Sequence, residues 1–307
     1  MDKSTSGILL AVGTGLLWAL SSPASKLLGQ SGADMNTVVL LRCAVSSLVL
    51  GTCIGLFAPQ HLHIRRREFL ALFLLAPLAP VCAYLGFMLS VAYLPVATAL
   101  VVRYTAPIAT AMGSSLITGE KPGPYDLFGA IAVSLGVLCS VMRPDWSVDT
   151  EISVPGLIWG LLGVLGISAQ ALWGRASVTR GGVSGMGIFF YSNLFGGLWM
   201  FFFKSLTSGW SDLPELTGFQ IGLIAITVFF TSLLGYYTFY ASLRHIPAST
   251  VSLLTSGEVP AAIVMTSMAT DSWPTRPAVL GCILILSAIV LSSRQAGRTP
   301  HVHRGAE

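Results

Sequence analysis

The stretch Tyr84–Thr98 reads YLGFMLSVAYLPVAT, and Tyr236–Thr250, 152 residues later, reads YYTFYASLRHIPAST. Identities fall at Tyr84/Tyr236, Phe87/Phe239, Ser90/Ser242, Pro95/Pro247 and Thr98/Thr250. After a one-residue insertion the register continues through Pro107/Pro260, Ala109/Ala262 and Met112/Met265. Leu17-Trp18 likewise has a counterpart in Leu172-Trp173, 155 residues on. The 307-residue chain therefore reads as two related halves, with repeats expected over 1–145 and 146–307.

Both halves belong in lipid. Only 10% of the residues are charged and 53% are hydrophobic, against about 25% charged in an ordinary soluble domain. The mean hydropathy is +0.76. Apolar runs lie near 8–29, 36–58, 69–92, 95–118, 125–142, 155–176, 185–206, 219–242, 246–269 and 277–293. A helix needs about 20 residues to cross the hydrocarbon, so ten spans are expected, the fifth and tenth being short. The first run resembles a cleaved signal peptide, but its Leu-Trp counterpart in the second half argues for a retained helix.

Basic residues set the orientation, because cytoplasmic loops concentrate them. With the N-terminus inside, the inner segments hold eleven: Lys3, Arg65, Arg66, Arg67, Lys121, Arg175, Arg180, Arg244, Arg294, Arg298 and Arg304. The outer segments hold four: Lys26, Arg143, Lys204 and Arg276. Five helices per half is an odd number, so the second half enters the membrane upside down. The expected fold is an all-α integral membrane protein of ten transmembrane helices, arranged as two inverted five-helix repeats with both termini cytoplasmic. The segment Arg143–Val154, with Asp145, Asp149 and Glu151, is the connector on the outer face. Inverted repeats place a substrate site where the halves meet, and rocking one half against the other gives alternating access.

Several function classes are excluded or disfavoured. The net charge of +4 is scattered over loops and tails, so it forms no nucleic-acid footprint. Cys43, Cys53, Cys82, Cys139 and Cys282 sit in apolar runs without CxxC spacing and read as small hydrophobes. The pairs His61/His63 and His301/His303 have no third ligand nearby in sequence, so they read as solvated flanks rather than metal sites. There is no Walker-type loop and no HExxH helix, and no histidine lies deep in a span to serve a nucleophile. No catalytic residue, metal or cofactor is expected. A gradient or an exchange must supply the energy.

Charged residues at membrane depth cost at least about 2.5–3.5 kcal/mol each on insertion scales. Arg42, Arg103 and Glu258 stand out in spans two, four and nine. Counting residues puts both arginines about 10–13 Å below the outer surface at about 1.5 Å per residue, with Glu258 near the midplane. With Lys26 at the outer end of helix 1, these residues suggest a cationic outer vestibule above a central carboxylate. Pro107 and Pro260 lack an N–H, so the carbonyls four residues earlier, on Arg103 and Ser256, lose their helical partners. Backbone acceptors beside an ionisable side chain suit a polar substrate at mid-membrane.

Three roles for Glu258 stay open: binding a substrate ammonium, carrying a coupling proton, or neutralising Arg103. Arg103 suits a bidentate grip on a carboxylate or phosphate, or a structural pair with Glu258; Arg42 reads as a site or structural cation. Ser249, Ser252 and Ser256 share a helical face and Thr255 shares that of Glu258. These hydroxyls line a wet path or let helices pack closely. Trp18 and Trp173, and Tyr84 and Tyr236, are symmetric aromatics able to wall an organic substrate or stack on a cation. Gln170 and Asn193 offer neutral hydrogen bonds. Gly51/Gly55 and Gly156/Gly160 have GxxxG spacing, which permits close helix approach.

The run Leu94–Gly136 (LPVATALVVRYTAPIATAMGSSLITGEKPGPYDLFGAIAVSLG) carries small residues after Pro95, the mid-helix Pro107, Gly119-Glu120, and Gly129 with Gly136. The second half repeats this as Pro247, Pro260, Thr270-Asp271 in place of Gly-Glu, and Gly281. This pattern, with Arg42 in helix 2, resembles the EamA-like branch of the drug/metabolite transporter superfamily over nearly the whole chain. The resemblance implies a central path lined by helices 1–4 and 6–9, with 5 and 10 peripheral. The resulting expectation is a secondary transporter in the inner (plasma) membrane of a bacterium. It would carry a small-molecule metabolite, amino acids first, by export, with protons as the candidate coupling ion. The rivals are an importer or exchanger of phosphorylated or nucleotide-linked anions, suggested by Lys26, Arg42 and Arg103, and a non-transporting membrane scaffold.

Overall fold

The computed structural model describes residues 3–94, 96–147, 153–180, 183–270 and 273–296, and among these there is no strand. Pro95, Asp149, Glu151, Asp271, Arg298, Arg304, His301 and His303, all used above, lie outside the described residues, as does the side chain of Lys26.

The first half contains α1 (Lys3–Trp18), α2 (Ser21–Gln30), α3 (Met35–Phe57), α4 (Arg66–Leu75), α5 (Ala83–Tyr93), α6 (Val96–Arg103), α7 (Ala106–Ile117) and α8 (Pro124–Ser140). The second contains α9 (Val154–Thr179), α10 (Gly185–Thr207), α11 (Gly218–Thr227), α12 (Gly235–Ser242), α13 (Ala248–Leu254), α14 (Glu258–Thr270) and α15 (Arg276–Ala296). Seven helical runs among the described residues are long and apolar enough to cross a membrane: Met35–Phe57, Arg66–Ser90, Val154–Thr179, Gly185–Thr207, Gly218–Ser242, Ala248–Met265 and Arg276–Arg294. Ser4–Trp18 and Pro124–Ser140 are shorter apolar helices. The chain is thus a multi-pass membrane protein. Leu48, Leu56, Phe57, Leu116, Leu206 and Phe219 stand largely exposed, as helices surrounded by acyl chains require.

The shortfall from ten continuous spans has local causes. The first expected span breaks between α1 and α2, where Ser21 Oγ donates to the Trp18 carbonyl at 2.7 Å; Pro23 supplies no N–H for Ala19, four residues earlier. The fourth breaks at Tyr104-Thr105, just before Pro107. The third and eighth continue through single π-helical turns, Pro77–Cys82 and Val228–Leu234. These turns occupy matching places in the two halves, immediately before the residues that precede Tyr84 and Tyr236. Only the first contains prolines. In the second, the Trp18 indole takes the Thr231 carbonyl at 3.2 Å and the Thr231 hydroxyl returns to the Thr227 carbonyl at 2.7 Å, so side chains replace the lost ladder bonds.

Packing respects the duplication. α1 lies along α12 and α9 along α5, so exchanging the halves exchanges these two contacts; α3 pairs with α10, and α8 with α15. Close approach depends on glycine at several places, Gly86 and Gly15 among them. A Cβ on Gly86 of α5 would come within 2.7 Å of the Trp159 carbonyl and 2.8 Å of the Gly163 nitrogen. A Cβ on Gly15 of α1 would come within 2.8 Å of the Thr255 carbonyl and 3.1 Å of the Glu258 nitrogen. Of the GxxxG pairs, Gly156 and Gly160 lie against Leu94, Ser90 and Val102, and Gly51 against Phe190; Gly55 has open space.

Candidate functional site

Most of the chemistry-bearing residues sit at helix breaks. Arg103 ends α6, Glu258 begins α14 after a 3-10 turn at Thr255–Gly257, and Trp18 ends α1. Tyr84 and Tyr236 are each the second residue after a π turn. Breaks of this kind free backbone groups and re-aim side chains, and π turns are frequent at functional sites.

The breaks converge. Arg103 Nη2 faces Glu258 Oε2 at 4.0 Å, with 19% and 7% of the side-chain surfaces exposed. That separation is too long for a direct hydrogen bond. Tyr104 lies beside both ions, and the Arg103 guanidinium stands 4.8 Å from the Phe87 ring. Arg42, buried in α3, donates from Nε to Ser232 Oγ and stands 4.2 Å from the Tyr84 ring. Among the described residues no carboxylate lies within ion-pair distance of Arg42. Tyr84 meets Tyr236 edge-on at 5.9 Å, and Trp18 packs on Tyr236 at 5.0 Å. Arg42, Arg103, Glu258, Trp18, Tyr84 and Tyr236 therefore form one cluster.

The remaining expected residues are placed differently. Ser256 and Thr255 turn back to the Ser252 carbonyl at 3.3 and 2.9 Å, closing the turn before Glu258. Ser249 leaves that face and bonds Asp126 at 3.1 Å. Pro107 is an early residue of α7; next to the Arg103 carbonyl, that of Tyr104 accepts from Ser134 Oγ at 3.0 Å. Pro260 lies in the first turn of α14. Gln170 and Trp173 of α9 face a separate small cavity rather than the ions. Asn193 donates to its own helix, at Phe189 O, 2.8 Å away.

Sequence reasoning missed several participants, Tyr104 beside both central ions among them. Asp126 opens the fifth apolar run with no motif around it, yet it is 5% exposed and accepts from Ser249, Thr250 and Ser292, the last at 2.6 Å. Lys204, counted above as an outer-loop cation, is fully buried and bonds Asp34 at 2.9 Å and Asp212 at 2.7 Å; Thr37 also donates to Asp212. Burial pushes the Asp34 and Asp212 carboxyls up, but their hydrogen bonds and the Lys204 charge outweigh it and hold both below the usual range. Glu120 binds Arg175 through both Nε and Nη2, the shortest contact being 2.6 Å, while Arg175 Nη1 reaches the Leu243 carbonyl at 2.6 Å. Ser232, the partner of Arg42, is another. The Lys204 and Arg175 clusters each join residues from both halves. Among the described residues no three His, Cys, Asp or Glu side chains gather to hold a metal.

The sequence profile of the EamA-like transporter family matches residues 5–142 and 154–294. No curated protein matches the chain. A solved structure, titled only "Crystal structure of protein", superposes with a TM-score of 0.79 at 15% identity, covering 96% of this chain and 98% of that one. That likeness concerns the fold alone.

Proposed function

The chain belongs to the EamA-like transporter family, and from that premise we propose that it exports a small polar metabolite, amino acids first, by alternating access. The observation that carries this reading is the loose Arg103–Glu258 pair. Structural ion pairs in this protein close to 2.6–2.9 Å, whereas the central one is held at 4.0 Å. Opposite charges kept apart in a buried place offer complementary sites to a zwitterion: a carboxylate to the guanidinium and an ammonium to Glu258. The aromatic wall of Trp18, Tyr84 and Tyr236 supports an organic body beside them. Ser252, Thr255 and Ser256 shape the turn that aims Glu258, with Pro107 and Pro260 at the two breaks.

The proposed topology is ten spans in two inverted halves, 1–145 and 146–307, with both termini cytoplasmic. Eleven inner against four outer basic residues support it. The same bias fits a bacterial inner membrane. Glu258 is the proposed carrier of a coupling proton, as the one carboxylate of the central cluster. A second reading, exchange of anionic metabolites, is favoured by Arg42, whose guanidinium directly contacts the neutral Ser232 and Tyr84 and has no carboxylate within ion-pair distance among the described residues.

Counterflow into proteoliposomes loaded with single amino acids or organic anions separates the two. Uptake of zwitterions that is insensitive to excess phosphate supports transport of amino acids. Uptake of anions alone supports exchange, and flux of neither class removes both proposals.

A further inference from the structure

A cavity of about 220 Å³ lies between the start of α10, the end of α12 and the turn at His61. Tyr237 and Ala241, four apart on α12, share the face that lines it, and Arg244 follows just beyond the end of that helix. Met186 and Phe189, from the first turns of α10, supply the other wall. The Leu243 carbonyl, next to Arg244, is held by Arg175. The cavity therefore lies at the Glu120–Arg175 end of the molecule, the end proposed to face the cytoplasm. Tyr237 is 49% exposed and Arg244 is exposed as well, so this cavity opens outward.

Its charge is one-sided. Arg244 and His61 border the cavity, and no Asp or Glu does. Among the described residues Arg244 has no ion-pair partner. Its guanidinium lies along the first turn of α10: a Cβ on Gly185 would stand 3.6 Å from Nη2 and 3.7 Å from Nε. A helix start is itself a positive pole, with N–H groups that no carbonyl of the helix accepts. Cations are stabilising at the opposite end of a helix, so a guanidinium placed here adds to the positive potential instead of relieving it. The excess of basic residues at a cytoplasmic face accounts for an arginine at this level. It does not account for one set over a helix start beside a void. An anion in the cavity would neutralise both sources at once.

The rest of the wall is apolar and largely aromatic. The Phe189 and Tyr240 rings stand 5.8 Å apart. The Tyr240 hydroxyl interacts with Gln170 and Ser192, neither of which borders this cavity, so Tyr240 presents its ring here. Phe189 also stacks on Tyr236 at 5.7 Å; rings thus separate the cavity from the central ions.

We infer that this cavity is a second binding site, for a small organic anion. The apolar body lies against Phe189, Tyr237 and Tyr240, and its carboxylate or phosphate meets Arg244, the His61 imidazole and the start of α10. A guanidinium gives either oxyanion two parallel hydrogen bonds. A soluble anion and an anionic lipid headgroup from the inner leaflet offer this same chemistry. The site is distinct from the Arg103–Glu258 cluster, and its test reads binding, so it stands or falls apart from the transport reading.

The test measures thermal stability of purified protein in neutral detergent against two matched pairs of probes. Benzoate and benzamide share a shape and differ in charge; dioctanoyl phosphatidylglycerol and dioctanoyl phosphatidylcholine do the same for lipid. Wild type is compared with Arg244→Gln, Arg244→Lys and Arg66→Gln, the last removing an exposed cation outside the cavity. Wild type is expected to respond to the anionic member of at least one pair at concentrations about tenfold below its neutral partner, as a charge-assisted bond allows. Arg244→Gln should lose that preference, Arg244→Lys should keep part of it, and Arg66→Gln should keep all of it. A response to benzoate identifies a soluble anion as the occupant, and one to phosphatidylglycerol alone identifies a lipid headgroup. Equal responses within both pairs, or no response to any probe, overturn the inference. So does a preference that Arg244→Gln retains, or that Arg66→Gln loses equally, because the charge being read is then not the one in this cavity.

Discussion

Arg103 and Glu258 hold their charges 4.0 Å apart, whereas Arg175 and Glu120 meet at 2.6 Å through a bidentate fork. The two pairs share chemistry and differ in placement. Arg175–Glu120 ties the end of α9 to the segment after α7, and Lys204 with Asp34 and Asp212 ties α10 to the segment before α3. Each joins the halves, so each is a contact that rocking of one half against the other must strain. The central pair sits at the breaks of α6/α7 and α13/α14, where the helical ladder is interrupted.

Lys204 makes the first prediction. Lys204→Met leaves Asp34 and Asp212 without their cation and should cost about 1–3 kcal/mol, less than the 3–5 of a fully buried pair, because a quarter of each carboxylate side chain is exposed. Carboxyls held below their ordinary range in the folded state contribute stability above the unfolded pKa and lose it as the pH falls through the folded value. Wild-type thermal stability should therefore drop on acidification through and below the usual carboxylate range. The Lys204→Met variant should lose most of that drop. Parallel pH profiles for the two proteins would show that these carboxylates gain nothing from Lys204.

Asp126 makes the second. Its carboxylate is the shared acceptor of Ser249, Thr250 and Ser292, drawn from α13 and α15 against α8. Asp126→Leu leaves three buried hydroxyls without it and should destabilise the protein by about 2–4 kcal/mol, given about 1.5–3 for a bond to a charged group and incomplete additivity. Asp126→Asn keeps one carbonyl acceptor and should fall between. Thermal unfolding of the two variants in detergent checks the order; equal stability to wild type contradicts it.

Gly15 makes the third. A methyl there meets the Thr255 carbonyl at 2.8 Å and the Glu258 nitrogen at 3.1 Å, so α1 must move away from the turn that aims Glu258. Gly15→Ala should cost about 1–3 kcal/mol as overpacking does and should reduce flux more than it reduces stability-corrected yield. Unchanged counterflow in a normally folded Gly15→Ala protein would separate Glu258 aiming from this contact.

Much of this fold is written in period and repetition. The matched Tyr84/Tyr236 and Trp18/Trp173 pairs mark helices that do pack as exchanged partners, and Pro107 and Pro260 mark breaks that occur where the missing N–H requires. The π turn at Val228–Leu234 has no proline to announce it; its cause, the Trp18 indole, comes from 213 residues away. Lys204 was read as an outer-segment cation, and Asp126 was not singled out, because burial is decided by neighbours from the other half, which linear hydropathy does not see. Gln170 and Trp173 were singled out as polar and aromatic residues in a span, but only the three-dimensional arrangement separates their cavity from the ions.

The most direct measurement is counterflow of labelled L-threonine in proteoliposomes containing wild-type, Glu258→Gln or Arg103→Gln protein, followed across pH. Wild type should carry it, and both variants, normally folded by their elution and melting behaviour, should slow by at least tenfold. The Glu258→Gln rate should also lose its pH dependence. Wild-type rates with an unchanged pH profile in Glu258→Gln would contradict the assignment of this pair to the substrate path.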